Sequence, residues 1–460
     1  MQKAVPLTPA DHLRKHIVHT LDATRLSTPA SSPATLLRQV SGKVERFLRW
    51  LADQGASFPG MAVRASGNGV EICASRNVQA NRLLMFIPRR LMITCDQACD
   101  SEFARLIQPH VLPEDAYIAA FLLHARKGPH FFTPYLDLLP RDISHLPTHW
   151  PSSDLACLQG TYALRKVADL VENMRSEYRV LAARLPPHLS FSMDDYAWAK
   201  SIVRSRLLRV GYRNEVALVP LADMMEHAPD SNAGEGGESR LGFFCTAART
   251  IGAGARLTRS YGPIRGNGTF FAYYGFAVPG NPNDDTCLHF PAPRGPLACE
   301  LTQGLGQADG AQRMFAPIAC CDDARSRSML AYLRLCHAAS PVDAATAFDA
   351  PLDRDNELTA LDALAAACRR RMSDFAKIDE PDDWGTQATP RQRLALLVRD
   401  GELRVLRYLL GLADAGRAFL TGQPVAPGFG SYLRTLQPLT AESTRSRGAN
   451  AGRTTTGTAR

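Results

Sequence analysis

Two blocks of short apolar runs, over residues 60–94 and 216–278, flank about a hundred residues of helical character. This arrangement limits the fold more than any other feature. In the first block Val70, Ile72 and Ala74 alternate, Gly67-Asn68-Gly69 marks a turn, and Leu83 to Ile87 is a continuous apolar run ended by Pro88. In the second block EVALVPLA, LGFFCTAART, ARLTRSYG and FFAYYGFAV read as strands. Short strands need neighbours, so the two blocks are expected to join into one β domain that the helical block interrupts. Lys43 to Leu51 reads as an amphipathic helix before the first block. Within the helical block, TYALRKVADLVENMRSEYRVLAARL and MDDYAWAKSIVRSRLL are amphipathic; Asp194 and Asp195 open the latter and Arg204, Arg206 and Arg209 close it, which suits the helix dipole. From about 296 to 425 the chain again reads as helical. The expected class is α+β.

Composition narrows the function classes. The 460 residues are 45% hydrophobic and 21% charged, which suits an ordinary globular protein of two or three domains. The formal charge of +8 is partly local, because residues 443–460 hold four arginines and no acid. A bias this mild fits acidic protein surfaces as well as it fits nucleic acid. The 11 cysteines are scattered without a C-x-x-C, as expected of free thiols in a reducing compartment. No apolar run reaches transmembrane length. Residues 1–43 carry only Asp11 and Asp22 as acids and read either as an N-terminal arm or as a weak organelle-targeting segment. The Ser/Thr/Arg/Gly-rich residues 441–460 read as a disordered tail.

The chemistry-bearing residues cluster late. In LVPLADMMEHAPD an apolar run stops at Asp223, and Glu226 and His227 follow. Metal ligation, acid–base chemistry and a capped turn are all open to this trio. Against a metal, adjacent Glu and His side chains diverge, and no second His–acid cluster has convincing spacing. Tyr261 and Tyr274 each precede a glycine, 13 residues apart. Either tyrosine alone suits a strand end in a core. The Gly67-x-Gly69 pair lacks the third glycine and following helix of a dinucleotide fingerprint.

In order, these segments resemble the SET-domain protein methyltransferases, and among them the split-SET group with the Rubisco large-subunit lysine methyltransferase and the actin-histidine methyltransferase. The resemblance rests on GNGVEICASRNVQANRLLMFIPRRLMIT, PYLDLLP, PTHWP, SIVRSR, ALVPLADMMEH, RSYG, Asn267, YYGF and LVRDGELRVL, and it covers about residues 44–425. It implies a SET-type β fold over 44–280, made of an N-terminal part (44–100), a helical insert (101–200) and a C-terminal part (201–280). An all-helical substrate-binding domain over 296–425 follows. It also implies S-adenosylmethionine (AdoMet) as cofactor and no metal.

By the same resemblance Tyr261 is the catalytic tyrosine facing the transferred methyl. Arg82, Leu83, Leu84, Arg206, Asp223, Glu226, His227, Tyr261 and Tyr274 surround the cofactor. The chemistry suits such residues: methyl transfer is an in-line displacement that needs alignment and a neutral nucleophile, and aromatic faces favour a sulfonium cation. Glu226 stands where the family motif has asparagine, and a carboxylate can only accept hydrogen bonds where an amide does both. Arg82 stands where relatives often have glutamate. Leu208, two residues after Arg206, leans toward a lysine acceptor, because the histidine-modifying member is polar there.

The leading expectation is therefore an intracellular, monomeric, AdoMet-dependent lysine N-methyltransferase acting on a non-histone protein, with no nucleic-acid or membrane partner. The compartments it admits are cytoplasm, nucleus, plastid and mitochondrion. A catalytically degenerate SET-like binding module is the reading of a different class, motivated by Glu226. A hydrolase using Asp223 and His227 is the third, and it predicts sensitivity to chelators.

Overall fold

The computed structural model describes residues 33–66, 69–107, 112–210, 215–234, 237–239, 241–338, 344–375 and 388–451. The Gly67-Asn68 turn, the first 32 residues and the last nine lie outside this set. The opening helix spans Pro33–Asp53 and buries Val44, Phe47 and Leu51, as the apolar spacing requires. It starts ten residues before the expected boundary at 43/44. The closing helix, Gly430–Ala451, likewise runs past residue 441, where a tail was expected.

The two strand blocks do join. Met61–Ser66 and Gly69–Ala74 form a hairpin in the register Met61↔Ala74 to Ser66↔Gly69. Leu83–Pro88 pairs antiparallel with Gly242–Thr246, and Ile93–Thr94 pairs with Glu215–Leu218, which also pairs with Leu208–Val210. Strands from before the insert are thus zipped to strands from after it. One core runs through them, with Phe47, Leu84, Ile87, Ile118, Leu218 and Leu257 buried together. The insert helices, Glu114–Ala125, Tyr162–Arg184 and Met193–Arg206, cover one side. Ser192 caps the last of these, and its side chain and that of Asp195 satisfy each other's backbone N–H.

One element differs from expectation. FFAYYGFAV is not a strand: Asn267–Tyr274 is a helix, ended by Gly275 in the left-handed region at φ 73°. The helix is apolar all round because both of its sides are covered. Phe271 and Ala272 pack with Ala163, Val167 and Val398, while Phe270 lies 4.7 Å from the His227 ring. A helix buried on both sides shows no polar stripe, so its period is invisible in the sequence.

The region after 280 opens with a three-stranded antiparallel sheet, Leu288–Pro291, Gln312–Phe315 and Gln307–Asp309, which the all-helical expectation omitted. Helices Ala324–Cys336, Arg354–Ser373 and Pro390–Thr421 then build a second core around Leu330, Leu361, Leu364, Leu409 and Leu412. The Pro390–Thr421 helix docks on the insert through Glu402. This buried carboxylate accepts from the backbone N–H groups of Tyr162 (2.8 Å) and Ala163 (2.9 Å) at the start of the Tyr162–Arg184 helix. No described helix is long and apolar enough to cross a membrane.

Candidate active site

The site is built where the strand Glu215–Leu218 ends. Pro220 stops the ladder, and buried Leu221 takes φ 76° and ψ −46°, a strained conformation for a branched residue. A single 3-10 turn, Ala222–Met224, follows and drives Asp223 inward. Its Oδ2 accepts from the Tyr135 hydroxyl, and its backbone carbonyl accepts from Arg206 Nη1 at 3.2 Å. Oδ1 is buried and meets no partner among the described residues. Burial pushes the Asp223 carboxyl above the usual carboxylate range, against the pull of the nearby Arg206.

Glu226 and His227 continue as a short strand, parallel to Thr258–Arg259. Neighbours on a strand face opposite ways, and these two part company. Glu226 turns outward: Arg256 Nη1 meets its Oε2 at 2.6 Å, and Arg256 Nε meets Glu71 at 2.7 Å. His227 turns inward among Phe270 (4.7 Å), Tyr261 (5.3 Å) and Phe276 (5.5 Å). Its Nδ1 accepts from the Tyr261 backbone N–H at 3.1 Å, and desolvation lowers its pKa. The ring is therefore neutral, with its proton on Nε2.

Tyr261 is fixed at both ends. Its hydroxyl donates to the Met225 carbonyl at 2.8 Å, and its ring centroid is 4.7 Å from that of Tyr274. Burial pushes its phenol pKa up, so the hydroxyl keeps its proton. The Tyr274 hydroxyl accepts from Arg265 Nη1 at 2.9 Å. Both Tyr274 and Arg265 also line a cleft of about 650 Å³, walled by Lys166 from the insert and by Leu207 and Arg209 at the strand Leu208–Val210. That is an ordinary volume for a ligand site.

Arg206, Asp223, His227, Tyr261 and Tyr274 thus converge. Glu226 is adjacent in the chain but engaged outside the cluster. Arg82, Leu83 and Leu84 sit at the sheet edge: the Arg82 carbonyl accepts from Ala247 N–H at 2.9 Å, Leu83 is exposed and Leu84 is buried. Among the described residues no hydrogen bond, ion pair or ring contact links these three to the aromatic cluster. Leu208 is buried on the strand Leu208–Val210, opposite Ala217.

Sequence reasoning missed Arg259. Its guanidinium lies 4.5 Å from the Tyr261 ring centroid, its Nε is buried without a partner among the described residues, and desolvation lowers its pKa. The period-two rule could have found it, because with ARLTRSYG read as a strand Leu257, Arg259 and Tyr261 fall on one face. Tyr135 was also missed, and nothing local in PYLDLLP marks it. Among the described residues no group of three or more His, Cys, Asp or Glu side chains could hold a metal.

Comparison with known proteins agrees with this architecture. Residues 300–406 match the family described as Rubisco LSMT substrate-binding. The chain is 30% identical over 262 residues to the actin-histidine N-methyltransferase of Mus musculus, across 52% of this chain and 43% of that protein. It is 25% identical over 419 residues to the Gallus gallus enzyme of the same name, across 82% and 69% respectively. The chain thus spans less than half the length of the mammalian relatives it matches. Among solved structures, the SET domain of LSMT bound to lysine and AdoHcy superposes with a TM-score of 0.71 at 20% identity, covering 87% of this chain and 96% of that one. Rubisco LSMT bound to AdoMet gives 0.69 at 21% identity, covering 86% and 96%. With its two zipped strand blocks and helical insert, the chain has the fold of the LSMT SET-domain structures, and its C-terminal segment matches the Rubisco LSMT substrate-binding family over residues 300–406.

Proposed function

We propose that this chain transfers a methyl group from AdoMet to a side-chain nitrogen of a protein. The observation that carries the reading is Tyr261: a desolvated tyrosine, its hydroxyl tied to a backbone carbonyl, packed on a second tyrosine that lines a cleft. The surroundings suit the cofactor. The rings of Tyr261, Tyr274, Phe270 and Phe276 and the neutral His227 offer π faces to a cation, and Asp223 Oδ1 is a buried acceptor with capacity to spare. When bound, AdoMet supplies an electrophilic methyl on a sulfonium.

In this reading the chain's own residues align and exclude water. Tyr261 and the Met225 carbonyl hold the acceptor nitrogen opposite the methyl, with its lone pair in line. Arg206 fixes the Asp223 turn through the carbonyl. Tyr274, steadied by Arg265, closes the aromatic wall toward the cleft, where the acceptor side chain enters. The backbone of Arg82–Leu84 and the outward Glu226 border the cofactor rim. The partner is a protein, met by a monomer inside the cell without nucleic acid or membrane.

Two acceptors have support. Buried, apolar Leu208 offers an imidazole no hydrogen-bond partner, which favours lysine. The names of the relatives favour histidine. The deciding assay supplies methyl-labelled AdoMet with an actin-derived histidine peptide and with the same peptide carrying lysine in its place. Faster labelling of the lysine peptide supports the Leu208 argument, and preference for histidine overturns it. Labelling of neither, in protein that binds AdoMet, favours the degenerate binding module.

A further inference from the structure

A polar chain runs from the LSMT-type C-terminal segment to the aromatic cluster. Arg404, on the Pro390–Thr421 helix and within the matched residues 300–406, donates from Nη2 to Asp284 Oδ2 at 2.6 Å and to the Asn281 carbonyl at 2.9 Å. Asp284 is buried. Its Oδ1 accepts from the backbone N–H of Asn267 at 2.8 Å, and its Oδ2 from Asn267 Nδ2 at 3.3 Å. Asn267 opens the helix that ends at Tyr274. The first N–H groups of a helix lack internal acceptors, and negative charge is favoured there, so Asp284 caps this helix from a distant loop.

Asn267 then reaches past the helix's other end. Its Oδ1 accepts from Val278 N–H at 2.7 Å, and its Nδ2 donates to the Val278 carbonyl at 2.8 Å. Helix 267–274, Gly275 and Phe276 are closed into a loop fastened at one residue, and that loop carries the Tyr274 and Phe276 rings that pack on Tyr261 and His227. Close approach is required on the C-terminal side: a Cβ at Gly401 would come 2.2 Å from Asp284 Oδ2.

We propose that Arg404 is a positioning residue which, through Asp284 and Asn267, couples the substrate-binding-type segment to the rings of Tyr274 and Phe276. The proposal rests on the methyl-transfer reading for what those rings hold. Arg404 supplies the cation facing a carboxylate that burial otherwise disfavours. Without it the cap on Asn267 weakens, and the loop carrying Tyr274 loosens.

The test uses the full chain as wild type, Arg404→Met, Arg404→Lys and Arg391→Met. Arg391 ties the same helix to Asp154 (2.8 Å) and the Ser144 carbonyl (2.9 Å), so its variant removes comparable docking contacts without touching Asp284. Amide hydrogen exchange over 267–278 is read beside AdoMet affinity by calorimetry. The expected result is exchange about five- to tenfold faster in Arg404→Met, the scale of a lost helix cap. AdoMet affinity should fall with it by about the same factor, Arg404→Lys should recover most of both, and Arg391→Met should change neither. Unchanged exchange in Arg404→Met overturns the link itself. Faster exchange with unchanged AdoMet affinity overturns the positioning role. A folded wild type that does not bind AdoMet overturns the methyl-transfer reading and the positioning role with it, while exchange still reports separately whether the link exists.

Discussion

Two buried clusters in this chain contain the same three groups, an arginine, a carboxylate and a tyrosine, and they are finished differently. In the C-terminal helices Arg334 donates from Nε and Nη2 to the two Glu357 oxygens, at 2.7 and 2.9 Å, and from Nη1 to the Ala347 carbonyl at 2.8 Å. The Tyr432 hydroxyl adds a bond to Glu357 Oε1 at 2.5 Å. Every nitrogen and oxygen of that pair is met. In the SET-type part Asp223 is met on one oxygen only, and Arg259 rests on the face of Tyr261 with its Nε unmatched among the described residues. Unsatisfied buried polar atoms are expensive and uncommon, so a closed cluster reads as a structural joint and an open one as a place with bonds left to make.

The contrast breaks most visibly at Glu357. Glu357→Ala leaves a buried, uncompensated guanidinium and should cost about 3–5 kcal/mol in denaturant unfolding. A loss under about 1 kcal/mol would mean that the closed cluster is not a joint. Next in size, Tyr261→Phe removes only the hydroxyl bond to Met225. Turnover of labelled AdoMet should fall roughly 100-fold, with thermal stability nearly unchanged. If stability falls and turnover does not, the open cluster is structural after all.

Glu402 sharpens the comparison through pH. Burial raises its carboxyl from 4.5 to about 7, despite its two backbone bonds and the nearby Arg371. A pKa raised in the folded state contributes stability in full below about 4.5, and that stability is lost as pH rises through about 7. Between pH 5 and pH 8 wild type should therefore lose more stability than Glu402→Gln, as read from urea midpoints. Equal losses would remove Glu402 as the source. The smallest effect belongs to Glu226→Asn, which breaks an exposed pair with Arg256 and should cost about 0.2–1 kcal/mol. AdoMet affinity should stay within a few-fold, since Glu226 faces outward. Restored binding in an otherwise inert wild type would instead identify Glu226 as the lesion of a degenerate site.

How legible each region was follows from what covers it. The zipped strand blocks could be read because each strand has one wet face or a clear stop, such as Pro88 after Leu83–Ile87. The amphipathic insert helices could be read for the same reason. Helix 267–274 could not, because Phe270 and Phe271 are buried against two different neighbours, His227 and the Ala163–Val398 cluster, and leave no polar stripe. In the site, Asp223, His227, Tyr261 and Tyr274 sit in short motifs close together in the chain. Tyr135 lies 88 positions from Asp223, and Arg404 lies 120 from Asp284, so only the folded chain reveals those partners. The outward turn of Glu226 was hidden likewise, since its partner Arg256, which also holds Glu71, lies 30 positions away.

The most direct measurement is calorimetric titration of the folded wild-type chain with AdoMet, beside Asp223→Ala. The account predicts one-to-one binding that Asp223→Ala weakens about tenfold or more, as loss of a buried hydrogen-bond partner should. A folded wild type that shows no binding, or binding that Asp223→Ala leaves untouched, would contradict the claim that the open cluster is a cofactor site.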